Sequence, residues 1–405
     1  MKNLSELLDE YKVDRDDKKE IAERYRQGVE DVLRARFRKE GDDVSILYGG
    51  SLKKGTANSV DCDLDLLCYV DSESDLTVEQ IYNIAANELR DKGYNATPKN
   101  SAIKVTGKIG DEAWDMTIDV VPGKYFTTGT DDVWLWQHKD SSRLKTNPTK
   151  QIGKVQNSKS RDVIRLIKLY RYFKGFPFKS FFLENFCIDV VEPEFKEADD
   201  LQDKLIKFCR HYDEIGITKI YDPANSNNDT MQIHSEEEFG KIRENIHELL
   251  ETLLTDDSET YLNCLQGKPY DIEAGYRRNA FSHAKFIPGI HTYPLFLKQE
   301  NGTSIINENE TISKCVFLRF NCLVINQSNA SVKWIISNGG YEARKANQLR
   351  GEEVDSSIQQ HAESYKTIFI RREHTLYYGN HYVQAVIRFP DGHKESSSIK
   401  KVKVR

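Results

Sequence analysis

The sequence lacks the long apolar runs that accompany export or membrane insertion. Its first 20 residues, MKNLSELLDEYKVDRDDKKE, contain no apolar segment of signal-peptide length. No window of the chain approaches the ~18 consecutive apolar residues of a membrane-spanning helix. We therefore expect a cytoplasmic protein that does not bind a membrane.

The sequence also lacks the paired motifs of zinc sites. The seven cysteines form no C-x-x-C pair, and the ten histidines form no H-E-x-x-H motif. Neither a zinc hydrolase nor a cysteine nucleophile is indicated. The cysteines are scattered through apolar stretches, which favours buried, reduced thiols in a chain too large to need disulfides.

An excess of positive charge is missing as well. The 405 residues are 38% hydrophobic and 30% charged, a composition typical of two or three globular domains. The net charge of −6 argues against a general nucleic-acid binder. Residues 308–405 nevertheless hold 15 basic and 10 acidic residues, which is +5 and leaves −11 for the rest. The C-terminal part is therefore suited to a phosphorylated ligand, with an ordinary solvated surface as the alternative.

Hydrophobic periodicity predicts an α+β protein. Its N-terminal half reads as a helix over 14–39, a strand over 45–48, a tight turn over 49–55, a strand over 63–70, a helix over 77–92 and a strand pair over 101–123. From residue 161 the pattern is helical, and after about residue 305 it is β. We predict a core over 1–305, with a sheet at about 40–145 and helices at about 146–305 and at the N-terminus, and a β-rich domain over 308–405.

The stretch YGGSLKKGTANSVDCDLDLLCYV (Tyr48–Val70) carries the chemistry. Asp61, Asp63 and Asp65 alternate with other residues and lead into an apolar strand, so the three carboxylates share one face. Three like charges side by side require neutralisation, and Mg²⁺ prefers such oxygen ligands. Two such ions can activate an attacking hydroxyl and stabilise a leaving phosphate.

Two neighbouring features complete the predicted site. The Gly49-Gly50-Ser51 turn lets backbone N–H groups approach a triphosphate, and Lys53 or Lys54 adds charge. WDMTIDVVPG offers Asp115 or Asp119 as a third carboxylate. We choose Asp119 because two apolar residues and then Pro122 follow it directly. We leave Asp61 out of the metal ligands.

These residues resemble the DNA-polymerase-β-like nucleotidyltransferases, and within them the bacterial cyclic-oligonucleotide synthases, or CD-NTases. The matching pieces are Gly50-Ser51, Gly55-Thr56, Asp63-Leu64-Asp65, Ile118–Pro122, KTNP, VIRLIKLYRYFKG, KSFFLE and DPANSNND. The resemblance implies a bilobal core with a helical second lobe. It also sets the register at Asp63 and Asp65, because the first catalytic Asp of the family stands seven residues after the threonine that corresponds to Thr56.

The resemblance implies a role for each matching residue. Asp63, Asp65 and Asp119 would be catalytic and would hold two Mg²⁺ ions, with Mn²⁺ as a substitute. Gly50, Ser51 and Lys168 would bind the triphosphate, and Ser180 with Phe181 would border the nucleobase. Family members often carry Tyr where this chain has Phe181, which keeps stacking but removes a hydroxyl.

The C-terminal part resembles the nucleotide-sensor domain found behind some of these synthases. The matching stretches are WIISNGGYEARKANQLRG and RREHTLYYGNHYVQAVI. We name Arg344, Arg350, Arg371 and His381 as candidate ligand contacts.

The leading hypothesis is a Mg²⁺-dependent enzyme that joins NTPs, with ATP among them, into a cyclic or short linear oligonucleotide. The family implies that this product activates a separate effector in anti-phage signalling. The alternatives are a transferase acting on tRNA, a protein or a small molecule, and an inactive nucleotide-binding sensor.

Overall fold

The computed structural model describes residues 2–13, 15–110, 114, 116–214, 219–287, 293–302, 304–307, 310–325, 329–355, 358–363 and 366–405. Asp115, the alternative third carboxylate, lies outside these residues. The chain divides into two compact units whose main segments are Asn3–Ile246 and His247–Arg405. The predicted domain limits, 1–305 and 308–405, stay a prediction.

The first unit begins with helices and a seven-stranded sheet. Its elements are α1 (Leu4–Glu10), α2 (Arg15–Lys39), β1 (Val44–Tyr48), α3 (Gly50–Lys54), β2 (Leu64–Val70), α4 (Val78–Asp91), β3 (Tyr94–Pro98), β4 (Ile103–Lys108), β5 (Ile118–Tyr125), β6 (Val133–Gln137) and β7 (Ser142–Thr146). The strand order is β1-β2-β5-β4-β3, and β6 and β7 extend from β5. β2 and β5 are parallel, so both strands begin at the same edge of the sheet.

The core of this sheet forms against α2 and α4. Val29, Leu33 and Phe37, one helical turn apart on α2, are fully buried in the same cluster as Leu66 of β2. Thr77 caps α4 through a capping box with Gln80. The apolar face of each helix thus fixes β2, and with it the carboxylates at the start of that strand.

A helical lobe follows in the first unit. Its elements are α5 (Pro148–Gln156), α6 (Arg161–Lys174), α7 (Ser180–Phe186), α8 (Leu201–Glu214), the hairpin β8 (Tyr221–Asp222) and β9 (Asn225–Asp229), and α9 (Glu236–Leu254), which continues into the second unit. A π-helical turn, Cys187–Val191, extends α7. This hairpin covers the stretch DPANSNND, and in it Tyr221 pairs with Asp229 and Asp222 with Asn225.

The second unit is a pair of sheets with helices. After α10 (Ser258–Leu265) and α11 (Ile272–His283) come β10 (Leu295–Gln299), β11 (Thr311–Ile312), β12 (Phe317–Ile325), β13 (Ser331–Asn338), α12 (Tyr341–Lys345), β14 (Arg350–Asp355), β15 (Ile358–Glu363), β16 (Lys366–His374), β17 (Gly379–Arg388), β18 (Lys394–Ser396) and β19 (Lys400–Val404). One sheet has the order β10-β12-β16-β15, and the other has β11-β19-β17-β13-β14 with β18 on β17. Phe320, Trp334 and Phe369 fill the core between them.

The structure differs from two further expectations. The predicted tight turn over 49–55 is the short helix α3, which Gly55 ends with a φ of +75°. Five of the cysteines are buried, but Cys62 is half-buried and Cys315 is exposed, so burial does not hold for all seven. Within the described residues, no helix is both long and apolar enough to cross a membrane.

Candidate functional site

The three predicted catalytic carboxylates lie where β2 and β5 begin. Asp65 pairs in register with Asp119 on the neighbouring parallel strand. Asp63 directly precedes β2, where the Leu64 N–H donates to the carbonyl oxygen of Thr117 at 2.9 Å. The Thr117 hydroxyl donates a hydrogen bond to Oδ1 of Asp63. Parallel pairing therefore brings together carboxylates that are 54 residues or more apart in sequence.

The electrostatics of this cluster favour a bound cation. Burial, and next the charge of Asp119, raise the pKa of Asp65 to about 6, although Lys54 and Lys99 oppose the rise. The Lys99 ammonium lies 2.5 Å from Oδ2 of Asp119. Oδ1 of Asp119 is buried and has no hydrogen-bond partner. The lysine side chains therefore neutralise the charge of these carboxylates only in part, and a bound cation would neutralise the rest.

The carboxylate oxygens of this cluster are ligands of the type that Mg²⁺ binds. In the structure, however, one of these carboxylates is paired with a lysine. Carboxylate oxygens are the ligands that Mg²⁺ prefers, and the buried, unpartnered Oδ1 of Asp119 is available to it. Among the described residues, no three Asp, Glu, His or Cys side chains already converge on one metal position. Lys99, which the sequence did not single out, stands in as the cation next to Asp119.

Gly50 places the start of α3 against Asp65. The Gly49 N–H donates to the Asp65 carbonyl oxygen at 3.0 Å. Gly50 has a φ of +63°, and a Cβ there would lie 1.5 Å from Oδ2 of Asp65. Glycine fits this position for two reasons. It adopts the left-handed backbone conformation without strain, and it has no Cβ that would collide with the Asp65 carboxylate.

Two lysines converge on one buried carboxylate beside α3. Glu184 of α7, 3% exposed, accepts from Lys54 at Oε2 and from Lys168 at Oε1, each at 2.7 Å. Lys168 also donates to the Thr56 hydroxyl at 2.9 Å. Burial raises the pKa of Glu184, but Lys168 and Lys54 outweigh it and bring that pKa down to about 2. Burial lowers the pKa of Lys168, which Glu184 opposes.

This cluster refines the predicted phosphate contacts. Lys54 lines the cavity described below, whereas Lys53 is exposed and outside its lining. Lys168 is only 5% exposed and is held by Thr56 and Glu184. Its predicted contact with the triphosphate stays a prediction, and Lys54 is the better placed of the alternatives from the turn.

Arg171 of α6 contacts both Asp61 and the predicted base-binding residue Ser180. Its Nη2 lies 2.7 Å from Oδ2 of Asp61, and its Nη1 donates to the Ser180 hydroxyl at 2.8 Å. Asp61 is thus an ion-pair partner of Arg171. Sequence reasoning missed Arg171, although it follows Lys168 by three residues and so shares its face of α6.

A single cavity of about 280 Å³ gathers most of the predicted site. It is lined by Gly50, Ser51, Asp63, Asp65, Lys168, Ser180 and Phe181, and also by Lys54, Asp61, Arg171 and Glu184. Asp119 is outside this lining but adjoins Asp65 across the sheet. The cavity lining therefore combines four carboxylates with the cationic side chains Lys54, Lys168 and Arg171.

The candidate contacts of the second unit are mostly paired. Arg344 lies 2.8 Å from Asp256, while Arg350 and Arg371 both pair with Glu373. His381 is buried.

Comparisons with known proteins agree with this architecture. Residues 294–405 match the family of the adenylyl/guanylyl and SMODS C-terminal sensor domain. The structure of the CD-NTase CdnG of Bradyrhizobium diazoefficiens with GTP aligns with a TM-score of 0.52 at 13% identity, over 66% of this chain and 96% of CdnG. No curated protein matches the sequence.

Two further structures align at lower TM-scores. CdnC of E. coli MS115-1 with ATP gives 0.49 at 19% identity, over 63% of this chain and 92% of CdnC. A CdnE c-di-GMP synthase from Capnocytophaga granulosa gives 0.42 at 15% identity, over 58% and 82%.

The fold shows which class of protein the chain resembles. The chain has a polymerase-β-like nucleotidyltransferase core with a helical lobe, followed by a β-rich C-terminal region, which confirms the predicted fold class. More specifically, it combines a CD-NTase-like nucleotidyltransferase fold with a C-terminal region that matches the sensor-domain family model.

Proposed function

We propose that this chain is a nucleotidyltransferase that joins NTPs into a cyclic or short linear oligonucleotide and releases pyrophosphate. One observation carries the proposal: Asp63 and Asp65 stand beside Asp119 at the start of two parallel strands, and the Gly50 turn and Lys54 adjoin them. A cavity lined by both carboxylates and cationic side chains suits a substrate whose phosphates bind metal ions and lysines together.

In this proposal, Asp63, Asp65 and Asp119 would hold two Mg²⁺ ions, which would supply Lewis-acid stabilisation of the phosphates and of the attacking hydroxyl oxygen. Asp119 receives the proton of the 3′- or 2′-hydroxyl. The new bond joins that oxygen to the α-phosphorus, and the bond to the β-phosphate oxygen breaks. Lys54 and Ser51 hold the leaving pyrophosphate. Repetition within the linear product closes the ring.

The remaining parts of the substrate have their own contacts in the proposal. Phe181 stacks on a base, and Ser180 is oriented for it by Arg171 through their hydrogen bond. Lys168, which donates hydrogen bonds to Thr56 and Glu184, also contacts the triphosphate in this proposal. The enzyme acts in the cytoplasm, ATP is among its substrates, and its product activates a separate effector in anti-phage signalling.

The decisive experiment is a product assay with matched variants. The purified chain is incubated with Mg²⁺ or Mn²⁺ and four NTPs, treated with phosphatase and analysed by mass spectrometry. The test variant is Asp63→Asn/Asp65→Asn, and Asp71→Asn, at the exposed far end of β2, is the control. A phosphatase-resistant oligonucleotide made by the wild type and Asp71→Asn alone supports the proposal.

Other outcomes favour the alternatives. Label transfer from NTP to tRNA, a protein or a small molecule, with no free oligonucleotide, indicates a transferase with another acceptor. NTP binding without turnover under all these conditions indicates an inactive sensor.

A further inference from the structure

Thr117 lies beside Asp63 at the point where β2 and β5 begin. The parallel register pairs Leu64 with Ile118, so the residues one position earlier, Asp63 and Thr117, are neighbours. The Thr117 hydroxyl donates a hydrogen bond to Oδ1 of Asp63. Asp119 follows Thr117 by two residues. The start of a single strand therefore supplies one of the three carboxylates and also a hydroxyl that contacts another.

The side chain of Thr117 points away from the hydrophobic core. Met116 and Ile118, on either side of it, are buried in the core that contains Leu66 of β2. Neighbouring residues of an extended chain point to opposite faces, so Thr117 faces the side of the sheet that carries Asp63. The position of Thr117 is therefore explained by its contact with the carboxylate and not by packing of its own side chain in the core.

The pairing of the two strands does not depend on the Thr117 hydroxyl. The Leu64 N–H donates to the Thr117 carbonyl oxygen at 2.9 Å, and this backbone bond already fixes the register. Asp63 directly precedes β2, and the terminal torsion of an aspartate is only loosely restricted. Threonine is β-branched and therefore stiff at χ1. The hydroxyl bond thus constrains the orientation of the Asp63 carboxylate.

Asp63 differs from Asp119 in the charge of its partner. The Lys99 ammonium pairs with Oδ2 of Asp119, whereas the Thr117 hydroxyl is neutral and leaves the charge of Asp63 in place. Asp63 lines the cavity, and within the described residues its Oδ2 accepts no hydrogen bond. Asp63 therefore keeps one charged oxygen for a divalent cation. Carboxylates that bind metals are commonly held by such hydrogen bonds, and loss of the bond typically lowers metal affinity about 10–100-fold.

We propose that Thr117 is a positioning residue that holds the Asp63 carboxylate in its metal-binding orientation. Thr117 occupies Oδ1 of Asp63 through its hydroxyl and leaves Oδ2 for the cation. The inference rests on the metal-binding role of Asp63 in the proposed function. It extends that function to a residue that acts only through another side chain.

Calorimetric titration of the full-length, nucleotide-free chain with Mn²⁺ tests the inference. Thr117→Val keeps the shape of the side chain without its hydroxyl, so Mn²⁺ is expected to bind about tenfold more weakly or worse. Thr117→Ser retains the hydroxyl and is expected to keep most of the affinity. Thr97→Val in β3 is the control and should bind like the wild type, because Thr97 is exposed and its hydroxyl has no hydrogen-bond partner among the described residues.

The variants are expected to fold, since the backbone bond between the strands is kept. Melting curves check this, and Thr117→Ala provides a second variant without the hydroxyl. A merely structural role of Thr117 would lower the Tm but leave Mn²⁺ affinity of the folded chain unchanged.

Asp63→Asn separates the failure of this inference from that of the proposed function. Binding that is lost in Asp63→Asn, weakened in Thr117→Val and retained in Thr117→Ser supports the role of Thr117. Binding that is lost in Asp63→Asn but unchanged in Thr117→Val, or equally weak in the valine and serine variants, overturns this inference alone. Binding by Asp63→Asn equal to that of the wild type overturns the inference together with the metal assignment of Asp63.

Discussion

The buried carboxylate of Glu184 is the most informative position for a single substitution. Glu184→Gln keeps the side-chain shape and removes the charge that Lys168 and Lys54 share. Lys168, 5% exposed, is then left as a buried ammonium without a counter-ion. We therefore expect a large loss of stability in the first unit.

Two estimates of the loss agree. The pKa of Glu184 falls from 4.5 to about 2 on folding, which corresponds to about 3 kcal/mol. Removal of one partner from a buried ion pair typically costs about 3–5 kcal/mol. Because the folded pKa is the lower one, this contribution is present above pH 4.5 and is lost as the pH falls toward 2.

Scanning calorimetry at pH 7 measures the effect. Glu184→Gln is expected to lower the Tm of the first unit by about 10 °C. The control is Glu237→Gln, in the exposed i,i+4 pair with Lys241, where little or no change of Tm is expected because water screens the pair. Adding Lys168→Met to Glu184→Gln should recover about 2 kcal/mol, since the stranded ammonium is gone. Equal Tm values for the two glutamine variants, or no recovery in the double variant, would refute the buried-pair reasoning.

Three further predictions concern the carboxylate cluster. Gly50→Ala places a Cβ against Asp65, so we expect at least ~100-fold loss of transfer activity; Gly153→Ala in α5, where nothing lies within 4 Å, is the control and should keep full activity. Lys99→Met frees Asp119 for a metal, so Mn²⁺ should bind about fivefold more tightly by calorimetry, and weaker binding would show that Lys99 assists the metal. The raised pKa of Asp65, about 6 against 3.8 unfolded, means that the metal-free chain loses stability as the pH rises through 4 to 6, and Asp65→Asn should flatten this dependence in urea melts.

Local patterns in the sequence predicted the elements that carry the site. The apolar spacing of Val29, Leu33 and Phe37 predicted α2, and the run after Asp63 predicted β2, because burial on one face imposes the period of the element. The seven-residue gap from Thr56 to Asp63 selected Asp63 and Asp65 for the metal-ligand assignment, which stays a prediction.

Other features depended on contacts between distant segments. The expected turn at Gly49–Gly55 is helical, because Gly55 supplies a left-handed end that caps α3. Arg171, Lys99 and Glu184 entered the site through partners 20 to 130 residues away. No window of sequence shows which buried charges will meet, since that depends on how strands and helices pack.

The sequence by itself determined the fold class, the order of the elements and the presence of clustered carboxylates, because these follow from hydrophobic period and short spacings. Only the tertiary structure decided that Asp119 adjoins Asp65 and that Lys168 is held by Glu184. Those facts follow from the pairing of β2 with β5 and from the packing of helices and sheets, in which desolvation and charge act between residues far apart in the chain.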